Sequence, residues 1–402
     1  MRPAGEAAPG EGQQSLRFLL LYALAAAGGA VAYVPFLTIL LPVRVEAMAG
    51  GNEVTWLAYC SFCGAAVASL ANILFGWLSD RTRNRRGWIV AGLLGSCALL
   101  QAIPLATSLP ALIGLLAAWQ LLLNMMLGPL AAMAGDYVPD RQKGFLGGLL
   151  AVSPAMGALA GALVTIEGLA GPDTRLALVA ALVLACVLPL ILAGRPVSFP
   201  DLTASKILPA APDVQRASRQ IVRRMWAARL LVQIAEAVLF AYLYVWFRTI
   251  SADFGDDDTA AVFGAVLVLA VPATLWVGRW ADRERRPLLP LSICAAMTAV
   301  ALLLMASAGS LTMAVAAYAL FGLVTSMFLA LHSAQTLRVL PRPQNRGRDL
   351  GLFNLTNTVP SLIMPWLALA TVPAFGFSGL FIILAALSAL AALLLATISR
   401  PN

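Results

Sequence analysis

Long runs of apolar residues, separated by short polar turns, recur along the whole chain. A transmembrane helix needs about 20 predominantly apolar residues, each adding about 1.5 Å. Twelve runs meet that requirement: Leu16–Leu41, Val54–Ser79, Trp88–Thr107, Pro110–Gly135, Phe145–Thr165, Thr174–Gly194, Arg223–Ile250, Thr259–Ala281, Leu288–Ser307, Leu311–Arg338, Asp349–Thr371 and Phe377–Ile398. The pattern predicts an all-α membrane protein with twelve transmembrane helices.

Two short basic turns, half a chain apart, indicate that these spans form two related halves. Gly76–Gly87 reads GWLSDRTRNRRG and follows the second span, and Gly278–Arg286 reads GRWADRERR and follows the eighth. Asp282 of the second turn lies 202 residues beyond Asp80 of the first. Parallel six-helix repeats, related by an axis along the membrane normal, are one way to build a transporter. We therefore expect two pseudo-symmetric six-helix bundles.

The domain boundaries follow from the spans and from one long polar segment between them. They are a disordered tail at 1–15, a first bundle at 16–194, a cytoplasmic linker at 195–222, a second bundle at 223–398 and a short tail at 399–402. Prolines favour an extended start to the linker. A basic surface helix is predicted for Val214–Arg224.

Charge and composition place the chain in a membrane and give its orientation. Charged residues make up 11% of the sequence and hydrophobic residues 60%, whereas soluble domains carry about 25% charged residues. With a cytoplasmic N-terminus, 23 of the 27 basic residues fall in or beside cytoplasmic segments, as the positive-inside rule requires. We expect both termini to be cytoplasmic in a bacterial-type inner membrane. The net charge of +8 then faces anionic lipid rather than nucleic acid.

Few charged residues lie away from the predicted cytoplasmic segments, and they include both signs. The basic exceptions to the positive-inside pattern are Arg44, Arg175, Arg229 and Arg248. The outer loops carry the acidic residues Glu46, Glu53, Asp173, Asp253 and Asp256–Asp258.

Glu236 is the most central acidic residue of any predicted span. A charge at mid-bilayer costs roughly 2.5–3.5 kcal/mol on insertion scales, so such a residue faces the protein interior or a wet cavity. Gln233 and Arg229 precede it by three and seven residues and share its helical face. This face is predicted to bind a proton or the solute. The alternative is a structural Glu–Arg or Glu–Gln contact between helices.

Further polar side chains in the spans are candidates for a solute site. They are Tyr33, Gln120, Asn124, His332, Gln335, Asn354 and Asn357. Hydroxyl-rich ligands need amide partners that fix direction and aromatic faces against the ring. The alternative for each amide is an interhelical hydrogen bond, worth about 0.6 kcal/mol on average, and for His332 a packing role.

The two six-span halves, the basic linker and the Gly76–Gly87 loop resemble the major facilitator superfamily from about Leu16 to Ile398. That loop is also similar to the glycoside–pentoside–hexuronide and sucrose-carrier-like branch. Two further runs are similar to the same branch: GPLAAMAGDYVPDRQKG at Gly128–Gly144 and RDLGLFNLTNTVPS at Arg348–Ser361. The resemblance implies a secondary transporter that moves a sugar or glycoside by proton-coupled symport and alternating access.

The same resemblance implies a gate at the basic turns. Asp80 would meet the N-terminus of the eleventh span, near Arg348–Leu350, while the arginines pair with nearby carboxylates. Such contacts would form in one conformation and break in the other. The gating residues are Gly76, Asp80, Arg81, Arg83, Arg85, Arg86, Asp136, Asp282, Arg283, Arg285 and Asp349. The alternative is that the arginines only set topology.

Several function classes are disfavoured and two alternatives stay open. The sequence has no P-loop, G-x-G-x-x-G or H-E-x-x-H pattern, so we expect no enzyme and no cofactor beyond a proton or sodium as coupling ion. The expected partners are a small-molecule solute and the lipid bilayer, with no nucleic acid and a functional monomer. A proton-driven exporter of amphipathic compounds and a non-transporting membrane assembly or delivery factor are the alternatives.

Overall fold

A computed structural model describes residues 13–139, 142, 146, 149–150, 152–197, 212–283, 288–339 and 346–398. This part of the chain is helical and contains no β-strand. The helices are α1 Leu16–Pro35, α2 Leu41–Ala49, α3 Glu53–Thr82, α4 Arg85–Ala102, α5 Leu109–Tyr137, α6 Ser153–Val164, α7 Pro172–Ala193, α8 Pro212–Ile250, α9 Asp256–Arg283, α10 Leu289–Ala306, α11 Leu311–Val339 and α12 Arg346–Ala396.

Ten stretches of the described helices are long and apolar enough to cross a membrane. The longest, Thr356–Ala396, covers the eleventh and twelfth predicted spans. Between them Gly376 has φ 65° and ψ −173°, a conformation open essentially to glycine alone, so the helix breaks there. A shorter apolar helix, Ser153–Val164, lies within the fifth predicted span. The predicted all-α membrane architecture is confirmed.

Two helix boundaries differ from the sequence prediction. The first span does not end at Leu41, because a π-helical turn at Phe36–Leu40 joins α1 to α2. Pro35 precedes that turn, and a proline, which lacks an N–H and crowds the preceding turn, commonly forces such a local rearrangement.

In the second half, α8 begins at Pro212 rather than at Arg223. The residues predicted as a separate surface helix, Val214–Arg224, are therefore the first turns of α8. Proline at a helix start is favourable because its missing N–H would have no partner there, so the last linker proline begins the helix instead of excluding it.

Hydrogen bonds between helix ends show which ends lie on the same side of the bundle. On the side of the N-terminus, Gln14 Nε2 donates to the carbonyls of Tyr137 at 2.8 Å and Val197 at 2.6 Å. At the opposite side, Arg44 Nη2 donates to the carbonyl of Pro104 at 2.5 Å. The first side is the one predicted to be cytoplasmic, and the second is the predicted outer side.

Helices α4 and α5 approach each other so closely at Gly92 that their backbones are in contact. A Cβ atom added at Gly92 would lie 2.4 Å from the backbone nitrogen of Met126 and 2.7 Å from the carbonyl oxygen of Leu122. Small residues at such crossings let membrane helices pack closely. Because backbone atoms of a packed helix cannot turn aside as a side chain can, the position requires glycine.

We expect Gly92→Ala to lower the thermal midpoint of the detergent-solubilised protein, since overpacking costs about 1–3 kcal/mol. Gly114→Ala on α5 is the matched control, because its added Cβ would meet no atom within 4 Å. Alanine is favoured over glycine in a helix by about 1 kcal/mol, so the control should keep or raise the midpoint. Equal midpoints for the two variants would contradict the close approach of α4 and α5.

Candidate functional site

A cavity of about 740 Å³ lies between the two halves of the protein. Helices α1, α3 and α5 supply one wall, and α8 and α12 supply the other. The volume is in the range of about 300–1,000 Å³ that small-molecule sites occupy. Polar side chains stand among apolar ones in its lining: Tyr33, Ser61, Ser69, Asn72, Gln120, Asn124, Gln233, Glu236, Asn357, Thr358 and Ser361.

Glu236 lines this cavity from the middle of α8. Its side chain is partly exposed, and the exposed part faces the cavity. The structural alternative, a Glu–Arg or Glu–Gln contact between two helices, stays open. Among the described hydrogen bonds, its polar neighbours on α8, Arg229 and Gln233, do not bond to Glu236. Instead, Arg229 Nε donates to Gln233 Oε1 at 3.0 Å, and Gln233 Nε2 donates to Asn357 Oδ1 at 2.8 Å. The two neighbours therefore bond each other and α12, while Glu236 lines the cavity.

Arg229 is the centre of a hydrogen-bonded group that joins α8 to α11 and α12. Its Nη1 donates to Ser333 Oγ at 2.9 Å, and its Nη2 donates to Asn357 Oδ1 at 3.3 Å. Together with Gln233, these residues form what we call the arginine cluster. Gln233 and Asn357 line the cavity, whereas Arg229 lies one helical turn nearer the predicted cytoplasmic side.

The opposite wall carries amides that bond to one another. Asn72 Nδ2 donates to Asn124 Oδ1 at 3.3 Å, and Asn124 Nδ2 donates to the carbonyl of Gln120 at 2.9 Å. Gln120 and Asn124 were singled out from the sequence, but Asn72 on α3 was missed. The sequence does indicate Asn72, because it lies inside the second predicted span and an amide within an otherwise apolar span is unusual.

The remaining predicted solute residues lie in different surroundings. Tyr33 lines the cavity, with its ring centroid 6.4 Å from that of Phe240. His332 is fully buried, with Nε2 2.9 Å from the carbonyl oxygen of Met225. It is absent from the described lining of the cavity, and its position fits the packing role that was the alternative to solute binding. Gln335 is also buried and absent from that lining. The side chain of Asn354 lies outside the described residues.

At the first basic turn, Arg85 ties together the ends of three helices. Its Nη2 lies 2.5 Å from Asp80 Oδ1, its Nε 2.7 Å from Asp136 Oδ2, and its Nη1 donates to Ser79 Oγ at 2.7 Å. Ser79 and Asp80 lie in the last turn of α3, Arg85 is the first residue of α4, and Asp136 lies in the last turn of α5. All of them belong to the first half, so in this conformation Arg85 links helices within one bundle.

The other residues of that turn lie at the surface. The guanidinium of Arg81 lies 5.6 Å from the Trp77 ring centroid, Arg83 caps α3 with φ 50°, and Arg86 is exposed. A Cβ added at Gly76 would meet no atom within 4 Å.

The predicted contact between Asp80 and the start of the eleventh span stays a prediction. The side chains of Asp282, Arg283 and Asp349, and the whole of Arg285, lie outside the described residues.

On the predicted outer side, two ion pairs join the halves. Arg248 Nε lies 3.1 Å from Glu46 Oε1, and the hydroxyl of Tyr244 donates to the same carboxylate. Arg175 pairs with Asp256. Because Glu46 and Arg175 belong to the first half and their partners to the second, we call these contacts the outer pairs. They hold the halves together on one side of the cavity.

The sequence and the fold were compared with known proteins. The family model described as Major Facilitator Superfamily matches residues 18–315 and 230–402. A solved structure titled "Crystal structure of a POT family transporter in complex with 5-aminolevulinic acid" superposes with a TM-score of 0.73 at 13% identity, covering 96% of each chain. At that identity the likeness shows the fold alone. No curated protein matches the sequence. Since the family match extends over nearly all of the described helices, this integral membrane protein belongs to the Major Facilitator Superfamily and is a transporter, not an enzyme.

Proposed function

We propose that this protein is a proton-coupled symporter that moves a small polar solute through the cavity between its halves. The observation that carries the proposal is the position of Glu236, a carboxylate on the cavity wall at the middle of a transmembrane helix. Ionisable residues inside transporter bundles mark ion pathways and proton relays. Desolvation favours the neutral form of a carboxyl group, so the site suits a group that takes up and releases one proton per cycle.

The transport cycle follows from the two-bundle layout. The outer pairs join the two halves on one side of the cavity, and we infer that their separation opens that side as one half rocks against the other. Glu236 would bind a proton when the cavity faces the side with the higher proton concentration. It would release the proton, together with the solute, when the cavity faces the other side. We expect a monomer with both termini in the cytoplasm to carry out this cycle.

The solute proposed first is a sugar or glycoside. Amides on both walls, the hydroxyl groups of Ser61 and Thr358, and the ring of Tyr33 offer partners for a hydroxyl-rich ring. The lining gives less support to the alternatives. Among its described residues Met364 is the one methionine, and Tyr33 and Phe240 are the aromatic residues, whereas an exporter of amphipathic compounds or a delivery factor for apolar cargo would need a more apolar lining.

Uptake into proteoliposomes tests the proposal directly. The purified protein is reconstituted with an alkaline interior, and the uptake of radiolabelled glycosides, pentoses and hexuronates is followed with and without a protonophore. We expect at least one of these solutes to accumulate under the pH gradient, and we expect the protonophore to remove that accumulation. An imposed sodium gradient should not replace the pH gradient. Uptake that depends only on sodium, or that never responds to a pH gradient, would contradict proton coupling.

A further inference from the structure

The charge of Arg229 is surrounded by neutral partners. Its guanidinium bonds to Gln233 Oε1, Ser333 Oγ and Asn357 Oδ1, and its Nη1 lies 3.4 Å from His332 Nδ1. Among the residues that the structure describes, the ion pairs involve Arg85, Arg175 and Arg248 but not Arg229. A cation within a transmembrane bundle pairs with another ionisable residue or with backbone carbonyls, and it often marks a substrate or ion pathway.

Arg229 is separated along α8 from Glu236, the only acidic residue among the described residues of the cavity lining. Glu236 follows Arg229 by seven residues, which is about 10 Å along the helix axis. The two groups influence each other through space, but they are not among the ion pairs of the described residues. When Glu236 carries a proton, the positive charge of Arg229 is the charge that remains beside the cavity. A solute that enters with the proton therefore meets a site with a net positive charge.

The guanidinium group of Arg229 also has the donors that a planar anion needs. A guanidinium group presents its N–H donors in a rigid fork that matches the two oxygens of a carboxylate. The bonds to neighbours hold the Arg229 group in place beside the cavity, and among its bonds to oxygen acceptors the bond to Asn357 Oδ1 is the longest, at 3.3 Å. An anion could replace this neutral acceptor with a shorter, charge-assisted bond while Gln233 and Ser333 keep the guanidinium oriented.

We propose that the transported solute carries a carboxylate, and that Arg229 binds it at the edge of the cavity. This inference rests on the proposed function and deepens it. The amides of Asn72, Gln120 and Asn124 on the opposite wall would then bind the polar remainder of the solute. Among the sugars proposed first, this choice selects sugar acids such as hexuronates over neutral sugars.

The proposal fixes the net charge that moves in each cycle. One proton and one carboxylate monoanion carry no net charge together, whereas one proton and a neutral sugar carry one positive charge. An inside-negative potential, imposed with potassium and valinomycin at a fixed pH gradient, should therefore leave the initial rate of uptake unchanged. A rate that rises several-fold with that potential would contradict the assignment of the solute as a monoanion.

The solute class is tested with acids and their neutral counterparts. Uptake and ligand-induced thermal stabilisation are measured for glucuronate, gluconate and lactate, each beside its methyl ester. We expect at least one acid to be transported and to stabilise the purified protein, and its ester to do neither. Preference for glucuronate or gluconate over lactate would indicate a sugar acid. If an ester or glucose is taken up under the pH gradient and no acid is, the carboxylate proposal fails while proton coupling survives. If the pH gradient drives no uptake of any solute and no acid stabilises the protein, both proposals fail.

Substitution of Arg229 tests whether this residue binds the carboxylate of the solute. Arg229→Gln should raise the half-saturation concentration for the transported acid by about 10- to 100-fold, because hydrogen bonds to charged groups are the stronger ones. Arg229→Lys, which keeps the charge but not the fork, should give an intermediate value. Arg224→Gln is the control, since Arg224 lies on the same helix and donates to the carbonyl of Thr397 away from the cavity. Gel filtration establishes that each variant is folded. An unchanged half-saturation concentration in folded Arg229→Gln would overturn the proposal.

Discussion

Glu236→Gln is expected to abolish the accumulation of solute against its concentration gradient while leaving solute exchange intact. Glutamine has nearly the size and hydrogen-bonding capacity of a protonated glutamate, but it cannot release a proton. The variant should therefore resemble a permanently protonated carrier that still binds solute and still changes conformation. The effect should be large, because Glu236 is the only acidic residue in the described cavity lining.

Two assays on the same proteoliposomes separate the outcomes of this substitution. Accumulation is driven by an imposed pH gradient, and exchange is followed as the entry of labelled solute into vesicles loaded with unlabelled solute. Glu167→Gln serves as the control, since Glu167 lies exposed in the turn between α6 and α7. Full accumulation by Glu236→Gln would remove its role as proton site. Loss of both activities in a folded variant would assign Glu236 to solute binding instead.

The overall fold could be predicted from the sequence because a bilayer imposes a simple rule on each span. The backbone N–H and C=O groups must form hydrogen bonds within the segment, and the side chains must be apolar over its whole length. Each transmembrane helix therefore appears in the sequence as a continuous apolar run. The rule fails where a span is extended by polar turns, as at Pro212, or where a proline changes the helix type without ending it, as at Pro35. These details depend on local backbone geometry rather than on hydropathy.

The candidate site could be predicted only as a helix face. The spacing of Arg229, Gln233 and Glu236 put all three on one side of the seventh span, and the cost of a buried charge pointed Glu236 toward the interior. Spacing along one helix does not show which residues of other helices lie opposite. The bonds of Arg229 to Ser333 and of Gln233 to Asn357 arise from the packing of α8 against α11 and α12, so the neutral surroundings of the arginine could not be foreseen.

The outer pairs were missed, although the sequence held a signal for them. Arg175 and Arg248 had been noted as exceptions to the positive-inside pattern, and Glu46 and Asp256 as acids of the outer loops, but not as partners. Glu46 and Arg248 are separated by 202 residues, the same offset that relates the two basic turns. Equivalent positions of two repeats face each other across a pseudo-two-fold axis. The Glu46–Arg248 pair could therefore have been predicted from the sequence, whereas Arg175 and Asp256 are 81 residues apart and do not share this offset.

Breaking both outer pairs is expected to open the cavity to the predicted outer side. In the double variant Glu46→Gln with Asp256→Asn, each interhalf ion pair loses its negative partner. The paired side chains are between 15% and 34% exposed. For partly exposed pairs we take a contribution of about 1 kcal/mol each. If these contacts form only when the outer side is closed, the population that is open to that side should rise roughly 30-fold, since about 1.4 kcal/mol corresponds to tenfold.

Labelling of a cavity residue measures that population. Ser61→Cys places a thiol on the cavity wall in a background without the five natural cysteines, and a membrane-impermeant maleimide is added to the outer face of right-side-out vesicles. The labelling rate should rise by about the same factor as the open population. Exchanging the charges of one pair, by Glu46→Arg with Arg248→Glu in the same Ser61→Cys background with Asp256 unchanged, should keep both ion pairs and a labelling rate near that of the parent. A double variant that labels as slowly as the parent would show that the outer pairs do not close the cavity.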